Sequence, residues 1–294
     1  SSWGRKRRLY YLPKDSIMCC HNCGWYGNPV KWVMEVEGLT FRELVHQVEK
    51  SDNSIDDIDT VFKPDIEPTY TTPPLPEDSI DLLDPLQIEY YKDNKIVRQA
   101  IDYIESRRLN TAVNRPAGIY ISLADKIHRN RICFPSYDRS GKVQYYQTRT
   151  FLPKDDRPKY LSKFRADRDV FGVSNVTDIL PYVYIFEGPV DSFFVENAVA
   201  IYGIQEKSRG TLTPSQADIL DSNFLFKRTW VLDNQRLDQA SMSKTKKLLE
   251  QGERVFIWPE SLKQYKDFNE ICMHFKLDEI SSKLIDDNTH CIKD

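Results

Sequence analysis

Apolar residues recur at helical spacing over residues 94–107, where Ile96, Ala100, Ile101 and Ile104 share one face. The spacing then shortens to strand-like runs at 118–122, 131–136 and 143–151. Tyr137-Asp138-Arg139-Ser140-Gly141 lies between the last two and predicts a turn, because Gly tolerates positive φ. The two runs therefore read as a hairpin. From about residue 182 the pattern changes again. Apolar runs at 182–186, 199–202, 229–232 and 254–258 alternate with helical stretches at 190–197, from Thr213-Pro214 onward, and at about 238–251. Thr213 is the expected N-cap of the second helix, with Pro at its first turn, and Gly252 ends the third. Strands alternating with helices predict an α/β fold, a parallel sheet with flanking helices.

Residues 1–50 form a separate segment, with Val33, Val36, Leu44, Val45 and Val48 at helical spacing near its end. Residues 51–88 carry Pro64, Pro68, Pro73, Pro74, Pro76 and Pro85 among acids and threonines, which predicts an extended, self-repelling linker. Residues 89–178 hold the first helix and the hairpin, a mixed α+β subdomain. Residues 179–294 hold the alternating pattern and are expected to end in a helix. The 294 residues suffice for one large domain or two ordinary ones.

The net charge of −3 hides a strong asymmetry. Residues 51–84 carry ten acids against one base, whereas residues 126–168 carry twelve bases against four acids. The basic block is either a solvated charged face or a surface for a polyanion. No apolar run approaches the roughly 20 residues that span a bilayer, and no apolar core follows the basic start to make a signal peptide. Six cysteines, three of them at Cys19, Cys20 and Cys23, do not have the spacing of a secreted disulfide framework, so a reducing compartment is expected. Cys20-His21-Asn22-Cys23-Gly24 is half of a zinc-ribbon pattern. It makes Cys20 and Cys23 candidate Zn²⁺ ligands, or else a group of thiols without metal.

The chemistry concentrates where the alternating strands end. The first runs into Glu187-Gly188-Pro189-Val190-Asp191, and the third into Asp233, with Asp238 five residues on. The fourth is followed by Lys266-Asp267-Phe268-Asn269-Glu270. In parallel α/β sheets ligands bind beyond the carboxyl ends of the strands. Any one of these acids could be a helix N-cap. Several together need a cation, and hard oxygen ligands select Mg²⁺ or Mn²⁺, which support phosphoryl transfer.

Tyr184-Ile185-Phe186-Glu187-Gly188-Pro189-Val190-Asp191 resembles the first motif of the TOPRIM domain shared by primases and topoisomerases. Val231-Leu232-Asp233-Asn234 resembles the second, and Lys266 to Glu270 the segment that follows in bacterial and phage primases. The span from Tyr184 to Asn269 is similar to the primases of T-even-type bacteriophages. One departure is visible: the usual Asp-x-Asp has Gln235 at its second acid. The resemblance implies a TOPRIM-type sheet in 179–294, with Glu187 as general base or electrostatic partner. It implies Asp233 as a metal ligand, Asp191 as a ligand or as the group orienting Glu187, and Asp238 as the replacement second acid. Arg131 to Val143, with Arg149 and Lys159 to Ser162, resembles the strand–turn–strand that precedes TOPRIM and grips template and nucleotide. This makes Arg131, Arg149, Lys159 and Lys266 candidate nucleic-acid and nucleotide contacts. Interleaved Tyr137, Tyr145, Tyr146 and Tyr160 are either strand core or stacking platforms.

The implied activity is synthesis of short RNA primers on single-stranded DNA from ribonucleoside triphosphates, with a replicative helicase as partner, in the cytoplasm of an infected bacterium. Family primases carry a first cysteine pair upstream of Cys20, and this chain starts at Ser1, so a missing N-terminal stretch is expected, with Zn²⁺ held by the intact module. No Gly-x-x-x-x-Gly-Lys-Ser/Thr loop is present, so helicase activity is not expected. Two rival readings remain at this stage: a TOPRIM-type metal-dependent nuclease, and a non-catalytic module that binds single-stranded DNA or helicase.

Overall fold

The computed structural model describes residues 9–12, 16–20, 25–44, 74–164, 166–203, 212–224 and 227–292. It divides into two units, Ser1–Pro73 and Pro74–Asp294. In the first, β1 (Leu9–Leu12), β2 (Ile17–Cys20) and β3 (Tyr26–Gly27) form an antiparallel meander. Helix α1 (Pro29–Glu37) follows, with the Asn28 side chain accepting from Lys31 N–H and Gly38 closing it at positive φ. Cys19 is buried and Cys20 half-buried on β2; Cys23 lies outside the described residues.

The second unit contains two five-stranded sheets. The first has the order β4-β5-β6-β7-β8 and is antiparallel throughout. Its strands are β4 (Ser79–Asp81), β5 (Tyr120–Ser122), β6 (Ile132–Tyr137), β7 (Val143–Arg149) and β8 (Tyr160–Ser162). The β6–β7 hairpin turns at Gly141, φ 82°. The proline- and acid-rich span 51–88 is therefore not linker to its end. Ile80 and Leu82 are buried, β4 pairs with β5, and Asp84 caps α2 (Pro85–Tyr90). Proline is tolerated there because the first turn leaves its missing N–H without cost. Helix α3 (Lys95–Ser106) follows, capped by Asn94, with Val97, Ala100 and Ile104 buried.

The second sheet has the order β10-β9-β11-β12-β13. β9 (Val183–Phe186), β10 (Ala198–Ala200), β11 (Arg228–Val231) and β12 (Arg254–Phe256) are parallel. Helices α4 (Pro189–Ser192), α5 (Pro214–Phe224), α6 (Gln239–Glu250), α7 (Phe268–Phe275) and α8 (Ser282–Asp287) connect or follow them. Thr213 and Gln216 form a reciprocal capping box at the start of α5.

The sheet is mixed rather than purely parallel. After α8 the chain adds β13 (Thr289–His290) antiparallel to β12, so the last element is a strand and not a helix. The expected helix over 190–197 is one turn, because Phe193, Phe194 and Val195 turn into the core with no exposure and Asn197 takes a positive φ. One core cluster runs from Ile80 and Ile104 through Phe134 and Phe186 to Phe268. It joins both sheets of this unit. Among the described residues no helix is long and apolar enough to cross a membrane.

Candidate active site

The parallel register aligns the strand ends. Phe186 pairs with Val231, so Glu187 and Asp233, just past each strand, emerge side by side. Glu187 Oε1 accepts from Ser241 Oγ at 3.0 Å and from the Asp233 N–H at 3.4 Å. Asp191 sits in the first turn of α4, and its Oδ1 accepts from the Asn269 N–H at 3.0 Å. Asp267 N-caps α7 and accepts from Glu270 N–H. Glu187, Asp191, Asp233 and Asp267 line one pocket whose apolar walls include Trp258 and Phe268.

Electrostatics make this cluster costly. Burial raises the Glu187 carboxyl, with Lys244 and Ser241 opposing it. Burial, then Asp267 and Asp233, push Asp191 well above the ordinary carboxylate range. Asp233 is raised to about 7 by burial, then by Glu187 and Asp267. Strain of this kind is typical of a functional cleft. Among the described residues no group of three or more His, Cys, Asp or Glu side chains is arranged to hold a metal ion.

Asp267 stands in the sequence only as part of the Lys266 to Glu270 segment and is not assigned there as a site residue. Asn234 places it: buried, it donates to the carbonyls of Lys263 and Tyr265, while its N–H donates to Lys266 O. The loop before α7 is thereby tied to the loop carrying Asp233. Lys244 was also missed. It is 4% exposed, its ammonium has no hydrogen-bond partner in the structure and lies 4.8 Å from the Trp230 ring centroid. Burial lowers it to about 8, with Glu187 acting in the other direction.

Gln235 explains the irregular second motif. Its amide donates to Phe256 O and accepts from Trp258 N–H, so it fastens the end of β12 and does not enter the pocket. Asp238 caps α6 through Ala240 N–H and Ser241 N–H and does not line the pocket. Asp267, and not Asp238, is the further acid that lines it.

The basic candidates separate. Arg131 is fully buried: it pairs with Asp155 at 2.5 Å and donates to the carbonyls of Pro158 and Lys159. It holds the β7–β8 connection and is not exposed to a polyanion. Removing one partner of such a buried pair costs about 3–5 kcal/mol of stability. Arg149 is 7% exposed and donates to Tyr160 Oη at 2.8 Å. Lys159 is more open, and burial, then Arg149, Lys266 and Arg107, lower its ammonium. Lys266 opposes the rise of Asp233. Of the tyrosines, Tyr145 and Tyr146 are buried and Tyr137 is half-buried beside Tyr120, so these are strand core; Tyr160 stacks with cations.

No family model matches the chain. The DNA primase of Enterobacteria phage T4 is 29% identical over 268 residues, covering 86% of this chain and 71% of that protein. The DNA primase of Listeria innocua is 25% identical over 259 residues, covering 71% of this chain and 40% of that protein. The Aquifex aeolicus primase structure, with zinc-binding and RNA polymerase domains, covers 97% of this chain and 76% of that chain at 20% identity and a TM-score of 0.43. By sequence, the chain is similar to the DNA primases of phage T4 and Listeria.

Proposed function

We propose that the chain is a primase, an RNA-polymerase-type enzyme that joins ribonucleoside triphosphates into short primers on single-stranded DNA. The observation that carries this reading is the meeting of Glu187, Asp191, Asp233 and Asp267 in one pocket, with Arg149 and Lys266 acting on Asp191 and Asp233. The 183–290 sheet, with its strand-end acids, fits the TOPRIM-type arrangement implied by the motifs.

The four carboxylates suit a hard divalent cation in donor chemistry and in charge, because their mutual repulsion needs one. Glu187, Asp233 and Asp267 are the residues that would hold Mg²⁺ or Mn²⁺. When bound, the ion supplies stabilisation of the attacking and leaving oxygens of an in-line displacement. Gly188 leaves open space where a Cβ would stand, so a ligand can approach the backbone between Glu187 and Asp191. Asp191 is held by the Asn269 N–H, and Ser241 fixes the orientation of Glu187. Arg149, Lys159 and Lys266 are assigned to nucleotide and template phosphates. Cys20 and Cys23 would contribute to a zinc site, and a replicative helicase is the expected partner.

The test is incorporation of labelled ribonucleotides on mixed-sequence single-stranded DNA, with and without Mg²⁺. The proposal requires short RNA products that depend on both metal and template. Degradation of the DNA without incorporation would establish a nuclease instead. DNA binding with neither activity would establish the non-catalytic module.

A further inference from the structure

Helix α6 turns a polar face inward, with Ser241, Lys244, Thr245 and Leu248 as its buried residues. Ser241 and Lys244 stand three positions apart and so share a side of the helix. Ser241 Oγ donates to Glu187 Oε1 at 3.0 Å. Lys244 is 4% exposed, its ammonium has no hydrogen-bond partner, and the Trp230 ring centroid lies 4.8 Å from it. Trp230 Nε1 donates in turn to Glu253, whose carboxylate is paired with Arg228, so the acid beside the ring is already taken.

An ammonium taken out of water and left unbonded is costly, and a ring face returns only part of that cost. A lysine that served packing alone would bury its stem and keep its end in water. Lys244 does not. The carboxylate whose field favours its charged form is Glu187, and Lys244 is the cation that acts on Glu187. The neighbouring acids have other cations: Arg149 acts on Asp191 and Lys266 on Asp233. Arg149 is bonded to Tyr160 and Lys266 is exposed, so of the three only Lys244 is enclosed without a bond. Its positive charge is therefore built into the wall behind Glu187. Such a charge offsets part of what a bare divalent ion gains from that carboxylate. Coulomb energy follows the product of charges, so the lysine opposes a divalent ion about twice as strongly as it opposes a proton in the same place. A triphosphate carries more negative charge than one divalent ion neutralises, so the same lysine does not oppose the ion when the triphosphate carries it in.

We propose that Lys244 is a positioning residue of the acidic pocket: its buried ammonium is a fixed countercharge to Glu187 that disfavours a bare divalent ion relative to one carried by a nucleoside triphosphate. The inference rests on the metal-dependent reading of the pocket and adds to it a residue of α6 outside the motifs that carry the resemblance.

The full chain is titrated at pH 7 with Mn²⁺ alone, read by the paramagnetic resonance of the free ion, and with the preformed Mn²⁺–ATP complex, read by calorimetry. Asp233→Asn, run in parallel, gives the binding that lies outside the pocket. Lys244→Met keeps a stem against Trp230 and removes the charge; Lys244→Arg keeps the charge. Lys244→Met is expected to bind Mn²⁺ alone about tenfold more tightly than wild type, with Lys244→Arg within about threefold of wild type. Both variants should bind Mn²⁺–ATP no more tightly than wild type. Unchanged or weaker Mn²⁺ binding by Lys244→Met overturns the inference. Equal tightening by Lys244→Arg also overturns it, because packing and not charge is then responsible, and so does a tenfold gain by Lys244→Met that persists with Mn²⁺–ATP. Lys244→Gln repeats the measurement if Lys244→Met does not fold, and failure of both to fold marks a purely structural lysine and overturns the inference as well. A wild type and a Lys244→Met that match Asp233→Asn with both ligands fail the metal-dependent reading of the pocket itself, independently of Lys244.

Discussion

Glu187→Gln is expected to reduce primer synthesis by at least about 10²–10³-fold while single-stranded DNA binding stays within about twofold of wild type. The substitution is nearly isosteric. Its carbonyl oxygen still accepts from Ser241 Oγ and the Asp233 N–H, which now hold Glu187 Oε1, so the strand-end loops keep their geometry. What is lost is a negative charge in a pocket whose proposed work is to hold cations against phosphates. DNA affinity is assigned to a different set of side chains, the cations near β7, β8 and α7. Labelled-nucleotide incorporation and fluorescence anisotropy, run on the same preparation, check both halves. Unchanged primer yield removes Glu187 from the chemistry, and a parallel collapse of DNA binding shows that the two functions are not separable in this way.

Asp233→Asn is expected to stabilise the metal-free protein while inactivating it. Asp233 is raised to about 7 by burial, then by Glu187 and Asp267, whereas in an unfolded chain it titrates near 4. Between those values the folded state binds the proton and the unfolded state does not. Stability is therefore greatest on the acid side and falls as pH rises toward and through 7. At pH 8 the ionised carboxylate subtracts up to about 4 kcal/mol from the metal-free fold. Glu187 and Asp191 are raised as well and add to the same slope. Asp155 and Asp138, held at about 2, titrate below this window. Melting in chelator should show the wild type losing stability from pH 5.5 to 8. The variant should lose less and melt several degrees higher at pH 8. Mg²⁺ should raise the melting temperature of the wild type more than that of the variant. A variant that melts lower at pH 8, or a wild type indifferent to pH, contradicts the electrostatic account.

The sheet that carries the site was legible because its determinants are local. Apolar runs ending at Phe186 and Val231, and the caps at Thr213 and Gly252, follow from nearest-neighbour chemistry. Strand ends bearing Glu187 and Asp233 were likewise visible, and parallel register does the rest. Less legible were features set by tertiary contact. Asp267 looks like any N-cap until Asn234 ties its loop to Asp233. Lys244 lies on the buried face of α6 with Ser241, Thr245 and Leu248, a face whose polar letters suggest solvent. Arg131 has the residue type and position of a phosphate contact, yet Asp155, twenty-four residues on, encloses it. Short antiparallel β13 carries too few residues for a period to be read. The acid- and proline-rich stretch before residue 85 concealed β4 because composition outweighed the two apolar residues, Ile80 and Leu82, that fold back onto the core.

The central claim is that the loops carrying Glu187, Asp233 and Asp267 bind a divalent ion together with a nucleotide. Its most direct measurement is anomalous diffraction at the manganese edge from crystals soaked with MnCl₂ and a ribonucleoside triphosphate. The account predicts a peak within ligand distance of Glu187, Asp233 and Asp267, with the triphosphate directed toward the cations of β7 and β8. A peak elsewhere, or a triphosphate bound with no manganese beside these three carboxylates, contradicts it.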